Sequence, residues 1–284
     1  MRAGLITVPY NSAGRPDGVA LAPAALRAAG LAADVDLGEV SLPPLPADRG
    51  PSGLVAEELL VAMVDGVAGR VRGAYAAGLT PLVVGGDCPV LLGGLLAARW
   101  EYGDVGLLFV DGHEDAWPPG LSLTGEAADC ELGLALGRYP SPLGGRMPVV
   151  RPSAVVAIGP RDEADLASHG VPPLAPEVVV VRPGELRSVG IHVDGIRAVA
   201  PNWWLHVDLD VLSTDALSAV DYPQPGGLSW AELSSITDTA LATPGCVGWT
   251  VTIYNPELDP DGEAACRIVR YVERALSLTG RGAT

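Results

Sequence analysis

The sequence predicts an α/β fold in which a mostly parallel sheet is sandwiched between helices. Three observations predict it: short near-continuous Val/Leu/Ile runs, helix-length segments between them, and Pro/Gly-rich stretches that separate each strand–helix unit from the next. The apolar runs are Ala3–Tyr10, Pro81–Gly85, Val105–Asp111, Ala154–Gly159, Val178–Arg182, Trp204–Asp210 and Val247–Ile253. They lack the strict apolar/polar alternation of a sheet with one wet face, so both faces should be covered. Helical patterns span Pro23–Ala29, Gly53–Ala77, Val90–Arg99, Gly184–Val189, Trp230–Ala242 and Gly262–Leu278. In the last of these Ile268, Val269, Val272 and Leu276 form one stripe, with Arg and Glu opposite. Ser41–Ser52, Trp117–Gly125, Tyr139–Pro152 and Asp221–Gly227 read as loops. The rhythm is the same on both sides of each loop, so residues 1–284 are expected to form one domain.

The 284 residues are 48% hydrophobic, enough for a sizeable core. A net charge of −16, with 18 scattered arginines and no lysine, argues against a nucleic-acid partner, which needs clustered cations. No apolar run reaches the roughly 18 residues of a membrane helix. The start lacks the basic lead and cleavage site of a secretion signal. Cys88, Cys130, Cys246 and Cys266 are widely spaced and read as reduced thiols. The expected setting is the cytoplasm. The expected partners are a small-molecule substrate and further copies of the chain, with neither nucleic acid nor membrane.

The informative feature is where the acids fall. In an open parallel sheet, ligands bind beyond the carboxyl ends of the strands. Three predicted strands end in polar clusters: Gly86-Asp87-Cys88, Asp111-Gly112-His113-Glu114-Asp115 and Asp208-Leu209-Asp210. Carboxylates gathered in a small volume push up one another's pKa values unless a cation is present. Along an extended chain, Asp111, His113 and Asp115 would point the same way, as would Asp208 and Asp210. A carboxylate-rich set with one His suits a hard or borderline divalent ion such as Mn²⁺. Singly, Asp87 and Asp115 read as helix caps and Asp210 as part of an Asx-turn. As a set they point to a metal.

These residues resemble the ureohydrolase superfamily of arginases, agmatinases and guanidinobutyrases, and the resemblance runs nearly the whole length. Val8-Pro9-Tyr10 with Gly18–Pro23 is similar to the family's N-terminal strand and loop. Gly85-Gly86-Asp87-Cys88 resembles its Gly-Gly-Asp-His signature, and Asp111–Asp115 its Asp-Ala-His-x-Asp signature. His206-Val207-Asp208-Leu209-Asp210 resembles the third, and Pro225-Gly226-Gly227 a Gly-rich loop. The resemblance implies an α/β/α sandwich with an eight-stranded, mostly parallel sheet and a binuclear manganese site. It implies that Asp111 and Asp208 bridge the metals, that His113 and Asp210 complete one position, and that Asp115 and Cys88 complete the other. A metal-bridging hydroxide would then attack an sp² carbon bonded to nitrogen.

The departures matter as much. Cys88 stands where the family has a ligand His, and a softer thiolate would shift preference toward Zn²⁺, Fe²⁺ or Co²⁺. Gly125-Glu126-Ala127-Ala128-Asp129 is the counterpart of Gly-Asn-x-His-Gly, with Ala128 in place of a proton-shuttling His. Ile253, two residues before Asn255-Pro256, takes the place of the Glu that holds a guanidinium. Ser213-Thr214 replaces an Asp-Pro. Glu126 and Asp129 are the candidate replacement carboxylates, and with Asp115 they are the candidate catalytic acids. The expected activity is metal-dependent hydrolysis of a linear C–N bond in a small guanidino, amidino or amide compound. The alternatives are a non-catalytic binding or assembly member of the same fold, and cysteine-nucleophile chemistry at Cys88. His206 is expected to pack or to orient a neighbour, Trp203-Trp204 to anchor the core, and Cys130, Cys246 and Cys266 to be small buried residues.

Overall fold

A computed structural model describes residues 2–279. Eight strands form one sheet: β1 Ala3–Val8, β2 Val35–Glu39, β3 Thr80–Gly85, β4 Val105–Val110, β5 Val155–Ile158, β6 Val179–Val181, β7 Asn202–Asp208 and β8 Cys246–Thr252. Their order is β2-β1-β3-β8-β7-β4-β5-β6, and every pairing is parallel. An all-parallel sheet needs a crossover between successive strands, and helices on both faces supply it. The helices are α1 Ala22–Ala28, α2 Glu57–Ala76, α3 Val90–Tyr102, α4 Glu131–Ala135, α5 Glu163–Ser168, α6 Val189–Val199, α7 Trp230–Ala242 and α8 Glu263–Thr279.

Two apolar clusters make up the core, one on each face. Leu26 of α1, Val193 and Ile196 of α6, Leu233 and Ile236 of α7, and Ile268 and Val272 of α8 pack on one face against Trp203, Leu205 and Val207. Leu60, Met63, Val64 and Val67 of α2 and Leu91, Leu92 and Leu95 of α3 pack on the other against Leu107, Phe109 and Trp204. Trp203 and Trp204 are consecutive on β7, so strand alternation sends one into each cluster, and both are fully buried. Burying one such Leu, Val or Ile side chain contributes about 1.5–3 kcal/mol.

The apolar runs mark seven of the eight strands. The eighth, β2, is a half-exposed edge carrying Asp36 and Glu39, so it has no apolar run to announce it. The helical pattern at 184–189 is a turn instead, and the helix begins at Val189 and runs to Val199. Gly184 lies at a φ of +82°, which closes that turn. Cys266 is exposed on α8, whereas Cys88, Cys130 and Cys246 are buried.

Topology decides where chemistry can sit. The chain builds β1 to β6 outward, and the last two strands, β7 and β8, fill the gap between β3 and β4. The carboxyl ends of β3, β8, β7 and β4 therefore meet side by side. Gly86, just past β3, lies against backbone: a Cβ there would sit 2.2 Å from the Tyr10 carbonyl oxygen and 2.6 Å from that of Val19. Both are backbone atoms, and the Gly86 N–H is itself tied to the Val8 carbonyl at the end of β1 at 2.9 Å. Gly86→Ala should therefore lower stability by about 1–3 kcal/mol in urea denaturation. An unchanged midpoint would contradict the close approach.

Candidate metal centre

Each strand end delivers its side chains through a tight local bond pattern. β7 ends at Asp208, whose Oδ1 accepts the Asp210 N–H at 3.0 Å. That bond curls Leu209–Val211 into one 3-10 turn. After β4, Asp111 Oδ1 accepts the His113 N–H at 2.8 Å, and Asp115 sits in left-handed backbone at φ +42°. The two motifs are thus turns held by Asp side chains, not the extended strand that simple alternation requires. The turns still bring the same side chains inward.

The result is three donor groups, in each of which the ligating atoms lie within 4.8 Å of one another: Cys88, Asp115 and Glu131; Asp111, His206 and Asp208; Asp111, His113 and Asp210, the last two sharing Asp111. Cys88, Asp111, His113, Asp115, Asp208 and Asp210, all marked by the sequence, come together. Glu131 and His206 join them, although the sequence motifs single out neither as a ligand. His113 Nδ1 is 2.9 Å from Asp210 Oδ2, and Thr252 Oγ1 donates to Asp208 Oδ2 at 3.0 Å. Gly112 stands where a Cβ would meet Arg161 Nη1 at 2.6 Å and Asp210 Oδ1 at 2.7 Å. Glycine here lets the Arg161 guanidinium slide behind the site, where Nη2 donates to the Asp210 carbonyl at 2.7 Å.

The electrostatics call for a cation. Burial, followed by the neighbouring carboxylates, pushes the Asp111, Asp115 and Asp208 carboxyls well above their usual range. Burial also raises Glu131 to about 7. For His113 burial pulls the imidazole down, but Asp210 beside it holds it up at about 9. Asp111 Oδ2 and both Glu131 carboxylate oxygens are buried without a hydrogen-bond partner. Orphaned anionic oxygens, an imidazole and a thiol within one small volume fit one or two divalent ions.

This makes a prediction for the chelated protein. Carboxyls with raised folded pKa values take up protons more readily in the folded chain than in the unfolded one. Their stabilising protonation is fully present below the unfolded values and is lost as pH rises through the folded ones. For Glu131 that window runs from 4.5 to about 7. Metal-free protein should therefore resist urea better near pH 5 than near pH 8. A flat or rising profile over that window would contradict the clustering of ionisable carboxyls.

A cavity of about 350 Å³ opens above the centre, with Cys88, His113, Asp115, Asp208 and Asp210 on its floor. Trp117, Leu123, Tyr222 and Ile253 supply apolar wall, and Glu126, Asp129, Asp162 and Asp221 supply acids. The loop carrying Glu126 and Asp129 is held from within: Asp129 Oδ2 accepts from Ser122 Oγ and from Thr124 Oγ1, the latter at 2.7 Å. Asp129 is therefore committed to its own loop. The half-buried Glu126 carboxyl is pushed up to about 7 by burial, then by Asp87 and Asp129. Ile253 has a φ of +75°, a strained conformation for a β-branched residue, pinned by its N–H to the Gly86 carbonyl at 2.7 Å. Ala128 lies against Cys88, whose Sγ is 3.9 Å from the Ala128 carbonyl. Burial drives the Cys88 thiol well up, which is the wrong direction for a free thiolate nucleophile.

A model of the arginase family matches residues 1–275. The chain belongs to the arginase family. Arginase from Bacillus caldovelox is 30% identical over 253 residues, covering 80% of this chain and 82% of the relative. N(omega)-hydroxy-L-arginine amidinohydrolase from Streptomyces lavendulae is 29% identical over 210 residues, 72% of this chain and 70% of that one. An arginase from Eremothecium gossypii is 27% identical over 201 residues, 66% of this chain but only 49% of that relative's length. The solved structure of the Bacillus caldovelox arginase superposes with a TM-score of 0.85 over the whole of both chains, at 23% identity. That superposition shows the arginase fold, and the eight-stranded parallel sheet agrees with it.

Proposed function

We propose that this arginase-family protein is a metal-dependent hydrolase of a linear C–N bond in a small, weakly basic guanidino, amidino or amide compound. The observation that carries the reading is the shared Asp111, which belongs to two donor groups at once, with Asp208 beside it and the cavity directly above. In this reading Asp111 and Asp208 would be shared by two ions, His113 and Asp210 would hold one of them, and Cys88 and Asp115 would hold the other. Manganese suits the carboxylates, while Cys88 favours zinc, iron or cobalt at its own end. Bound ions would lower the pKa of a water they share from about 15.7 toward neutrality and so supply a nucleophile without a side-chain base.

The chain's own residues do the rest. The apolar wall of Trp117, Leu123, Tyr222 and Ile253 excludes water and favours a weakly charged group. The Streptomyces relative is named for an N-hydroxyguanidino compound, and an N-hydroxyguanidine is less basic than a guanidine. Glu126, held at about 7, is poised to exchange a proton near neutral pH with the departing nitrogen. Glu126→Gln should lower kcat by roughly 10²–10⁴-fold and remove a limb of the pH–rate profile near 7, with metal content unchanged. A variant with the parental profile would take that role from Glu126. The function is tested by ammonia- and urea-release assays on metal-loaded protein with guanidine, N-hydroxyguanidine, amidine and amide compounds. Silence across all four classes from fully metal-loaded protein would contradict it.

A further inference from the structure

Glu131 has no evident reason to be where it is. It opens α4, a five-residue helix in which Leu132, Gly133, Leu134 and Ala135 are also buried, so the element has no wet face. Glu131 is 0% exposed and neither carboxylate oxygen has a hydrogen-bond partner. An unpaired buried carboxylate costs several kcal/mol, so a fold that keeps one is expected to hold a cation against it. One oxygen lies within 4.8 Å of both the Cys88 thiol and an Asp115 carboxylate oxygen.

The adjacent imidazole explains how Glu131 is aimed. His206 is fully buried on β7, two residues before Asp208 and therefore on the same face of the strand. It stacks on Phe109 with ring centroids 5.1 Å apart. Its Nδ1 is 2.6 Å from Thr250 Oγ1, and the Trp204 indole N–H donates to that same oxygen at 3.4 Å. An indole N–H can only donate, so it takes one of the two Thr250 lone pairs, and His206 Nδ1 shares the other lone pair or the hydroxyl proton. Nε2 lies 3.3 Å from Glu131 Oε1 and 3.7 Å from Asp111 Oδ2, close to both but bonded to neither. His206 thus stands between the Glu131 and Asp111 carboxylates, with Nε2 facing both.

We infer that Glu131 joins Cys88 and Asp115 as a protein ligand of one of the two metal positions, beside the shared Asp111 and Asp208, and that His206 orients it. The inference rests on the binuclear reading above and adds a residue to it. A thiolate among carboxylates makes an anionic, mixed soft and hard donor set, which suits a borderline divalent ion such as zinc or cobalt better than manganese. The two positions are therefore unlike: one of His and carboxylates, the other of sulfur and carboxylates.

Cobalt substitution reads the two positions separately, because only a sulfur-bound cobalt shows a thiolate-to-metal charge-transfer band. The parent chain is expected to take up two cobalt ions and to show the band, and Cys88→Ser to lose it. Glu131→Gln should bind one of the two ions at least about 100-fold more weakly, with the band lost in parallel. Asp210→Asn should weaken the other ion and keep the band. Metal-free Glu131→Gln removes an unpaired buried charge, so its unfolding midpoint should be no lower than the parent's. If it fails to fold, Glu131→Asp, whose carboxylate is withdrawn by one methylene, carries the test and should show the same loss. Two parental affinities and an unchanged band in the Glu131 variant would overturn the inference and leave the binuclear reading standing. So would cobalt uptake by the parent without a band. No cobalt uptake by the parent at all would instead remove the binuclear reading itself.

Discussion

Asp208→Ala should lose bound metal and activity together, with turnover down at least about 10³-fold, equivalent to about 4 kcal/mol of barrier. Asp208 lies at the carboxyl end of β7, is 1% exposed, and stands beside Asp111 in one donor group. Asp111→Ala should behave alike. In the presence of metal, both variants should also unfold at a lower temperature than the parent, because an ion that binds only the native state stabilises it by mass action. In chelator the Asp111→Ala difference should shrink, since that variant no longer buries the unpartnered Asp111 Oδ2. Paired melting curves with and without metal check both statements. An Asp208→Ala protein with full metal content would contradict the bridging role.

Arginine, agmatine and guanidinobutyrate should be poor substrates. A full guanidinium needs a carboxylate partner at close range, and leaving a cation desolvated and unpaired costs several kcal/mol. Ile253 supplies none at its place on the wall, and its backbone is pinned by the Gly86 carbonyl. Asp129 is bonded into its own loop by Ser122 and Thr124, and Asp221 accepts from Asn255 at 2.7 Å. Glu126 on that wall is held near neutral pKa, so it is only partly charged where a guanidinium would need it fully ionised. Urea release from the three compounds, measured first with manganese and then with cobalt, should fall below the ordinary range of about 1–10³ per second. Turnover of any of them within that range would restore a simple arginase-like substrate.

Much of this architecture is legible in the amino-acid sequence. Apolar strands flanked by helices mark a parallel sheet, and acids clustered at three strand ends mark its carboxyl edge as the site. What the sequence hides is what depends on three-dimensional neighbours. Glu131 reads as an ordinary acidic first residue of a short helix, and only the wholly apolar Leu132–Ala135 behind it hints that no exposed face is left. His206 sits inside an apolar strand, and its two-residue spacing from Asp208 is the available signal. The left-handed backbone at Asp115 and the Asp-capped turns at Asp111 and Asp208 are masked by an alternation that gives the same inward direction for the wrong reason. β2 is hidden because a half-exposed edge strand buries too little to need an apolar run.

The central claim is that the carboxyl edge of the sheet is a binuclear metal centre. Metal content decides it most directly: elemental analysis of the purified chain as isolated, then after chelation and dialysis against manganese, zinc or cobalt. The account predicts two ions per chain and a raised unfolding temperature on reloading, with the gain lost again in chelator. A chain that takes up none of the three ions, and whose unfolding temperature none of them changes, would contradict it.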